Sequence, residues 1–218
     1  MSRAAMPPLV AEASDTRSDP YADWLRRTQT RPWKRVLRVQ ALYQWNLHRL
    51  RPGVTLDIGC GNGRNLSSLD QRSIGIDHNA SSLAIARSCG HEVYTPEQFR
   101  SSPMARPGSF DSLLFAYVLE HMAKEEAVGL IAEYRRFAKA GARLIIITPQ
   151  EAGFRHDPSH VSFTDFAAIG DICSRVGADI DRQFSFPFPR PVGRIFAYNE
   201  FVVTAHFGPD RPEPRTGW

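Results

Sequence analysis

The stretch Thr55-Leu56-Asp57-Ile58-Gly59-Cys60-Gly61-Asn62-Gly63 constrains this chain more than any other. β-Branched and apolar residues run into an Asp, and glycine then falls at every second position. Glycine accepts backbone angles that side chains forbid, so a strand ending in such a loop lets a ligand approach the main chain closely. A helix following the loop would point unpaired N–H groups and the positive end of its dipole into the same space. One glycine fits a plain tight turn; three alternating glycines after an acid fit it poorly. The dinucleotide fingerprint reads G-x-G-x-x-G, whereas the spacing here is G-x-G-x-G.

The rest of the chain reads as strands alternating with helices. Val36, Val39, Tyr43, Leu47 and Leu50 recur at helical spacing, with a second stripe at Trp33, Leu37, Ala41 and Trp45. They predict a helix over 31–50 that packs on a sheet and covers a pocket, stopped by Pro52-Gly53. Strands are expected at 55–58, 73–77, 92–95, 110–116, 143–148, 180–186 and 199–207. Helices are expected over 62–69, from an N-cap at Asn79 to Cys89 with Gly90 as C-cap, over 127–138 ended by Gly141, and over 166–176 between Thr164 and Gly177. Residues 96–108 read mostly as loop with one turn of helix. This alternation implies an α/β fold with a parallel sheet covered on both faces. Ligands of such sheets bind outside the carboxyl ends of the strands, where the strand order switches. Asp77, at the tip of the second strand and 20 residues after Asp57, is placed to accept hydrogen bonds from a ribose.

With 218 residues, a single domain over 21–207 is expected, between loose tails at 1–20 and 208–218. Three widely spaced cysteines without a C-x-x-C pair argue against disulfides and zinc and for a reducing compartment. No secretory h-region or membrane-length apolar run occurs, so a cytoplasmic chain without integral membrane contact is expected. Residues 17–51 carry nine basic and two acidic residues. That excess reads as a solvated helix face, or as a rim attracting an anionic acceptor such as a phosphorylated sugar or lipid. Nucleic acid is disfavoured, because no aromatic–basic platform accompanies the net charge of +4.

Phe110-Asp111 opens a continuous apolar strand, and Tyr117-Val118-Leu119-Glu120-His121-Met122 follows it. With the glycine loop, this segment resembles class I S-adenosylmethionine-dependent methyltransferases with a type 11/12-like domain, over about residues 50–207. The resemblance implies a Rossmann-like doubly wound, mostly parallel seven-stranded sheet with a C-terminal antiparallel hairpin strand, and S-adenosylmethionine as cofactor. Asp57, Gly59, Cys60, Gly61 and Gly63 would shape the methionine pocket, Asp77 would bind the ribose, His78 would lie beside the adenine, and Ala116 and Tyr117 would flank the sulfonium. Many relatives carry Gly-Asp-Ala after the third strand. Tyr94-Thr95-Pro96-Glu97 stands there instead, which leaves Thr95 and Glu97 as adenine candidates.

The implied reaction is methyl transfer to a small-molecule acceptor, a hydroxyl of a sugar, lipid or secondary metabolite. The alternatives are N-methylation of an amine and a non-catalytic subunit that binds S-adenosylmethionine. Asp157-Pro158-Ser159-His160 resembles an Asp-Pro-Thr/Ser-His segment of similar enzymes, which marks His160 as the expected base, ahead of His121 and its neighbour Glu120. His156 and His160 are four apart, but Pro158 interrupts a helix there and no third ligand is apparent, so no metal site is expected.

Overall fold

The computed structural model describes residues 39–208. The expected tail at 1–20, the start of the helix predicted over 31–50, most of the basic 17–51 stretch and residues 209–218 lie outside the described residues.

Seven strands form one sheet in the order β3-β2-β1-β4-β5-β7-β6. They are β1 (Thr55–Ile58), β2 (Ile74–Ile76), β3 (Val93–Tyr94), β4 (Phe110–Ala116), β5 (Ala138–Pro149), β6 (Ala178–Phe186) and β7 (Glu200–Phe207). The first five pair in parallel, and β7 runs antiparallel to both β5 and β6. The chain steps outward from β1 to β3, then returns to β4 on the other side of β1. That reversal opens a crevice between the carboxyl ends of β1 and β4, where Ile58 pairs with Phe115.

The sheet is buried on both faces because its central strands are apolar at successive positions. Leu113, Phe115, Leu144 and Ile146 pack with Phe99, Ile131 and Ile169 on one face. Leu114, Ala116, Ile145 and Ile147 meet Leu47, Leu50 and Phe186 on the other. Leu47 and Leu50 come from α1 (Val39–Arg49) and the turn after it. The first face is covered by α3 (Pro96–Arg100), α4 (Lys124–Arg135) and α6 (Phe166–Arg175), while α2 (Ala80–Ser88) packs Leu83 and Ala86 against Cys60 and Val93.

Three local expectations are corrected. No α-helix spans 62–69, which is a turn closed by one 3₁₀ turn, Leu66–Ser68. Gly61 and Gly63 sit at φ of +53° and +80°, left-handed values that block a right-handed helix start. Within 96–108 the turn of helix expected beside the loop is α3. Thr95 accepts from the Gln98 amide, the Gln98 side chain returns to the Thr95 amide, and Phe99 is buried. Gly141 does not end α4, whose last residue is Arg135, with Arg136 as its C-cap. It lies inside β5, where pairing with β4 jumps from Phe110–Ala138 to Ser112–Arg143 and the extra residues bulge out. Helix α6 is capped by Asp165, whose side chain accepts from Ala168, rather than by Thr164. Among the described residues no helix is long and apolar enough to cross a membrane.

Candidate active site

A cavity of about 680 Å³ fills the crevice at the carboxyl ends of β1, β2 and β4. Its glycine-loop end is lined by Ile58, Gly59, Cys60, Gly61, Asp77 and His78, and its middle by Ala116 and Tyr117. The opposite end holds His121, His156, Asp157, His160 and Tyr198.

The three glycines serve different ends. A Cβ on Gly59 would sit 2.4 Å from Val118 Cγ2, and one on Gly63 would sit 2.7 Å from the His91 ring. Both positions are closed by packing. A Cβ on Gly61 meets nothing within 4 Å, so its backbone borders open cavity and leaves space a ligand can use. Asp77 braces this loop: one carboxylate oxygen accepts from the Gly61 amide and the other from the Asn79 amide, each at 2.8 Å.

Asp57 and Gly63, both assigned to the methionine pocket from sequence, do not line the cavity. Gly63 backs onto α2, as its contact with Ala86 shows. Asp57 is fully buried with neither oxygen hydrogen-bonded, and burial pushes its carboxyl up to about 7. Cys60 lines the wall but is itself buried against Gly75 of β2, which holds its thiol well above the ordinary range. Thr95 and Glu97 do not line the cavity either; the Thr95 hydroxyl is used in capping α3, and Pro96 forms the wall there.

At the far end the loop after β5 folds over the turn after β4. The Glu120 carbonyl accepts from the amides of Val161 and Ser162 at 2.7 and 3.1 Å. This brings the His121 and His160 rings to a centroid separation of 4.9 Å. His160 Nδ1 lies 2.8 Å from the Phe154 carbonyl, a pure acceptor, so Nδ1 carries the proton and Nε2 the lone pair. That Nε2 is 3.9 Å from a Glu120 oxygen and 4.0 Å from an Asp157 oxygen, beyond hydrogen-bonding reach of both. Glu120 is fully buried, does not line the cavity, and has no hydrogen-bond partner for either oxygen. Burial pushes its carboxyl up to about 8. Burial, and next the neighbouring His160, hold the His121 imidazole below the usual histidine range. His156 is not paired with His160 through a helix, because α5 (Glu151–Phe154) ends before it. A different trio comes together in space: Glu120, His121 and His160 offer donor atoms all within 4.8 Å of one another.

Sequence reasoning missed Glu200, Tyr43 and Arg64. Tyr117 donates to Glu200 and Tyr43 to the Tyr198 carbonyl. The Arg64 guanidinium lies 5.6 Å from the centre of the Tyr117 ring. The signal for Glu200 was an acid opening an otherwise apolar strand; Tyr43 and Arg64 gave none distinct from packing.

Residues 56–146 match the family model described as a methyltransferase domain. No curated protein matches the chain in sequence. The magnesium protoporphyrin IX methyltransferase of Synechocystis, solved with bound S-adenosylmethionine, is 19% identical with a TM-score of 0.61, over 95% of this chain and 100% of that one. A methyltransferase of Thermotoga maritima, described as a possible histamine N-methyltransferase, is 18% identical with a TM-score of 0.62, over 87% and 98%. A SAM-dependent methyltransferase of Archaeoglobus fulgidus is 19% identical with a TM-score of 0.56, over 77% and 94%. These likenesses carry the fold, and over residues 56–146 the chain is similar in sequence to the methyltransferase-domain family.

Proposed function

We propose that the protein methylates a hydroxyl of a small-molecule acceptor of the sugar, lipid or secondary-metabolite kind, with the acceptor at the histidine end of the cavity. The observation that carries this reading is the continuity of one cavity from the Gly61 cradle to His160. A volume of about 680 Å³ falls within the range of sites that hold drug-sized ligands. The cofactor fits the glycine end, where Gly61 leaves an open cradle and the Asp77 carboxylate faces the cavity.

When bound there, S-adenosylmethionine supplies a methyl group already activated on a positive sulfur. The protein's task is then alignment of the acceptor oxygen with that methyl, and removal of the hydroxyl proton. Asp77 holds the ribose and braces the loop. Ala116 and Tyr117 form the wall between the two halves. His160 takes the proton on Nε2, since its Nδ1–H is held by the Phe154 carbonyl and the ring is thereby fixed in the required tautomer. His121, beside it, keeps a neutral imidazole.

The test is a screen of hydroxylated acceptors for S-adenosylhomocysteine release, repeated with His160→Ala. The variant is expected to bind S-adenosylmethionine normally and turn over ~10²–10⁴-fold more slowly. It is also expected to lose the rising limb of the pH–rate profile. If that limb survives and only thermal stability falls, the role passes to His121. If amines alone are methylated, the hydroxyl reading fails.

A further inference from the structure

We infer that Glu120, His121 and His160 together bind a divalent transition-metal ion at the acceptor end of the cavity. The inference goes beyond the functional reading and does not require methyl transfer.

Three independent features meet at this point. Glu120 is buried, carries no hydrogen bond on either oxygen, and directs one oxygen to within 3.9 Å of His160 Nε2. A buried carboxylate in that state is costly unless a cation or a proton answers it. His160 is already set as a ligand. Its Nδ1–H is given to the Phe154 carbonyl, the arrangement by which metal-bound histidines are oriented, and its Nε2 lone pair faces the carboxylate. His121 is set in the same way. Ser159 Oγ donates to Asp157 at 2.6 Å, so Oγ offers His121 only a lone pair, and the Ser159 carbonyl is a second acceptor. The proton of a neutral His121 therefore sits on Nδ1, which leaves the lone pair on Nε2.

The donor atoms lie within 4.8 Å of one another. Bonds from such an ion to histidine nitrogen and carboxylate oxygen are about 2.0–2.2 Å, so two donors on one tetrahedral ion lie about 3.4 Å apart. The trio must draw in by up to about 1.4 Å, a movement made by side-chain rotation. Two imidazoles and one carboxylate suit Zn²⁺, Co²⁺ or Fe²⁺ better than Mg²⁺ or Ca²⁺, which prefer all-oxygen sites. Asp157, 4.0 Å from His160 Nε2, supplies a second negative charge beside the ion. Three protein ligands leave a coordination position open toward the cavity, where an acceptor oxygen can enter.

The test is titration of the full chain, without cofactor or acceptor, by Co²⁺ with visible absorption and by Zn²⁺ with calorimetry. One ion per chain is expected, with the Co²⁺ band displaced by Zn²⁺. Glu120→Gln and His160→Gln, each checked for folding by circular dichroism, are expected to weaken binding more than about 100-fold. Absence of both band and heat with the wild-type chain overturns the inference, as does undiminished binding in either folded variant. Because the titration needs no turnover, its failure leaves the methyl-transfer reading standing, and failure of the acceptor screen leaves the ion site standing. A bound ion that accelerates transfer keeps the site and removes only the base role of His160.

Discussion

Tyr117 donates its phenolic proton to Glu200, which ties the residue after β4 to the first residue of β7. Tyr117 holds a left-handed φ of +61°, an uncommon value for a side chain of this size. Glu200 is 2% exposed, so this bond also answers most of the polar demand of its carboxyl group. The strained backbone and the bond together aim the ring along the cavity wall. Tyr117→Phe is expected to strand the carboxyl group and cost about 1–3 kcal/mol of stability. Glu200→Gln keeps an acceptor oxygen for the phenol and is expected to cost less. Urea unfolding of both variants checks the order; equal losses would show that the bond is not what holds this corner.

Stability should fall as pH rises through neutrality. Burial raises the Glu200 carboxyl to about 8 and the Asp57 carboxyl to about 7. In the unfolded chain such groups titrate at about 4. Between those values the folded state holds protons that the unfolded state has released, so the stabilisation is complete below about pH 4 and is lost as pH rises through 7 to 8. Each such group contributes a slope of up to about 1.4 kcal/mol per pH unit. Melting temperature of the ligand-free protein should therefore decline between pH 5.5 and 8 (a window of roughly that span), and Glu200→Gln should flatten the decline. A melting temperature that rises over this range would contradict the burial of these carboxyls in their protonated form.

Gly59 and Gly61 should differ in how much alanine costs them. At Gly59 the added Cβ meets Val118 at 2.4 Å and φ is +76°, so folding itself should suffer. At Gly61 the space is open, so the folding cost is the φ strain alone, about 1 kcal/mol. Gly61→Val should instead abolish cofactor binding, because its branches enter the cradle. Asp77→Ala, which also removes the brace on the Gly61 amide, should weaken binding by about 2 kcal/mol. Calorimetry with S-adenosylhomocysteine, paired with thermal melts, separates the two classes. Gly61→Val binding at wild-type affinity would dismiss the cradle.

What could be read in the sequence follows from range. β4 was legible because seven residues in a row carry the signal of a strand buried on both faces. The glycine loop was legible because alternation after an acid has few other uses. Helix α3 was legible only as one turn of helix within 96–108, because Ser102, Pro103 and Gly108 beside its Thr-Pro-x-Gln cap weigh the window toward loop. Gly141 was misplaced because a left-handed glycine serves a helix end and a bulge alike. The grouping of Glu120 with His160 could not be read at all. It depends on a loop forty residues downstream folding over the turn after β4, and nothing local in either segment encodes that contact.

Helix α1 should act on the acceptor and not on the cofactor. The Tyr43 hydroxyl donates to the carbonyl of Tyr198, which lines the histidine end of the cavity, and the Tyr43 ring meets Phe186 edge-on at 5.6 Å. Removing the whole helix would also uncover Leu114 and Ile145 on that face of the sheet, so truncation confounds folding with function. Tyr43→Phe is the cleaner probe, since it deletes one hydrogen bond and keeps the ring contact. Losing that bond removes one of the contacts that hold Tyr198 and should raise the acceptor KM by roughly five-fold, the equivalent of about 1 kcal/mol. Affinity for S-adenosylhomocysteine should stay at the wild-type value, because the Gly61 cradle and Asp77 lie at the other end of the cavity. An unchanged acceptor KM, or a loss of cofactor affinity of the same size, would take α1 out of the acceptor site.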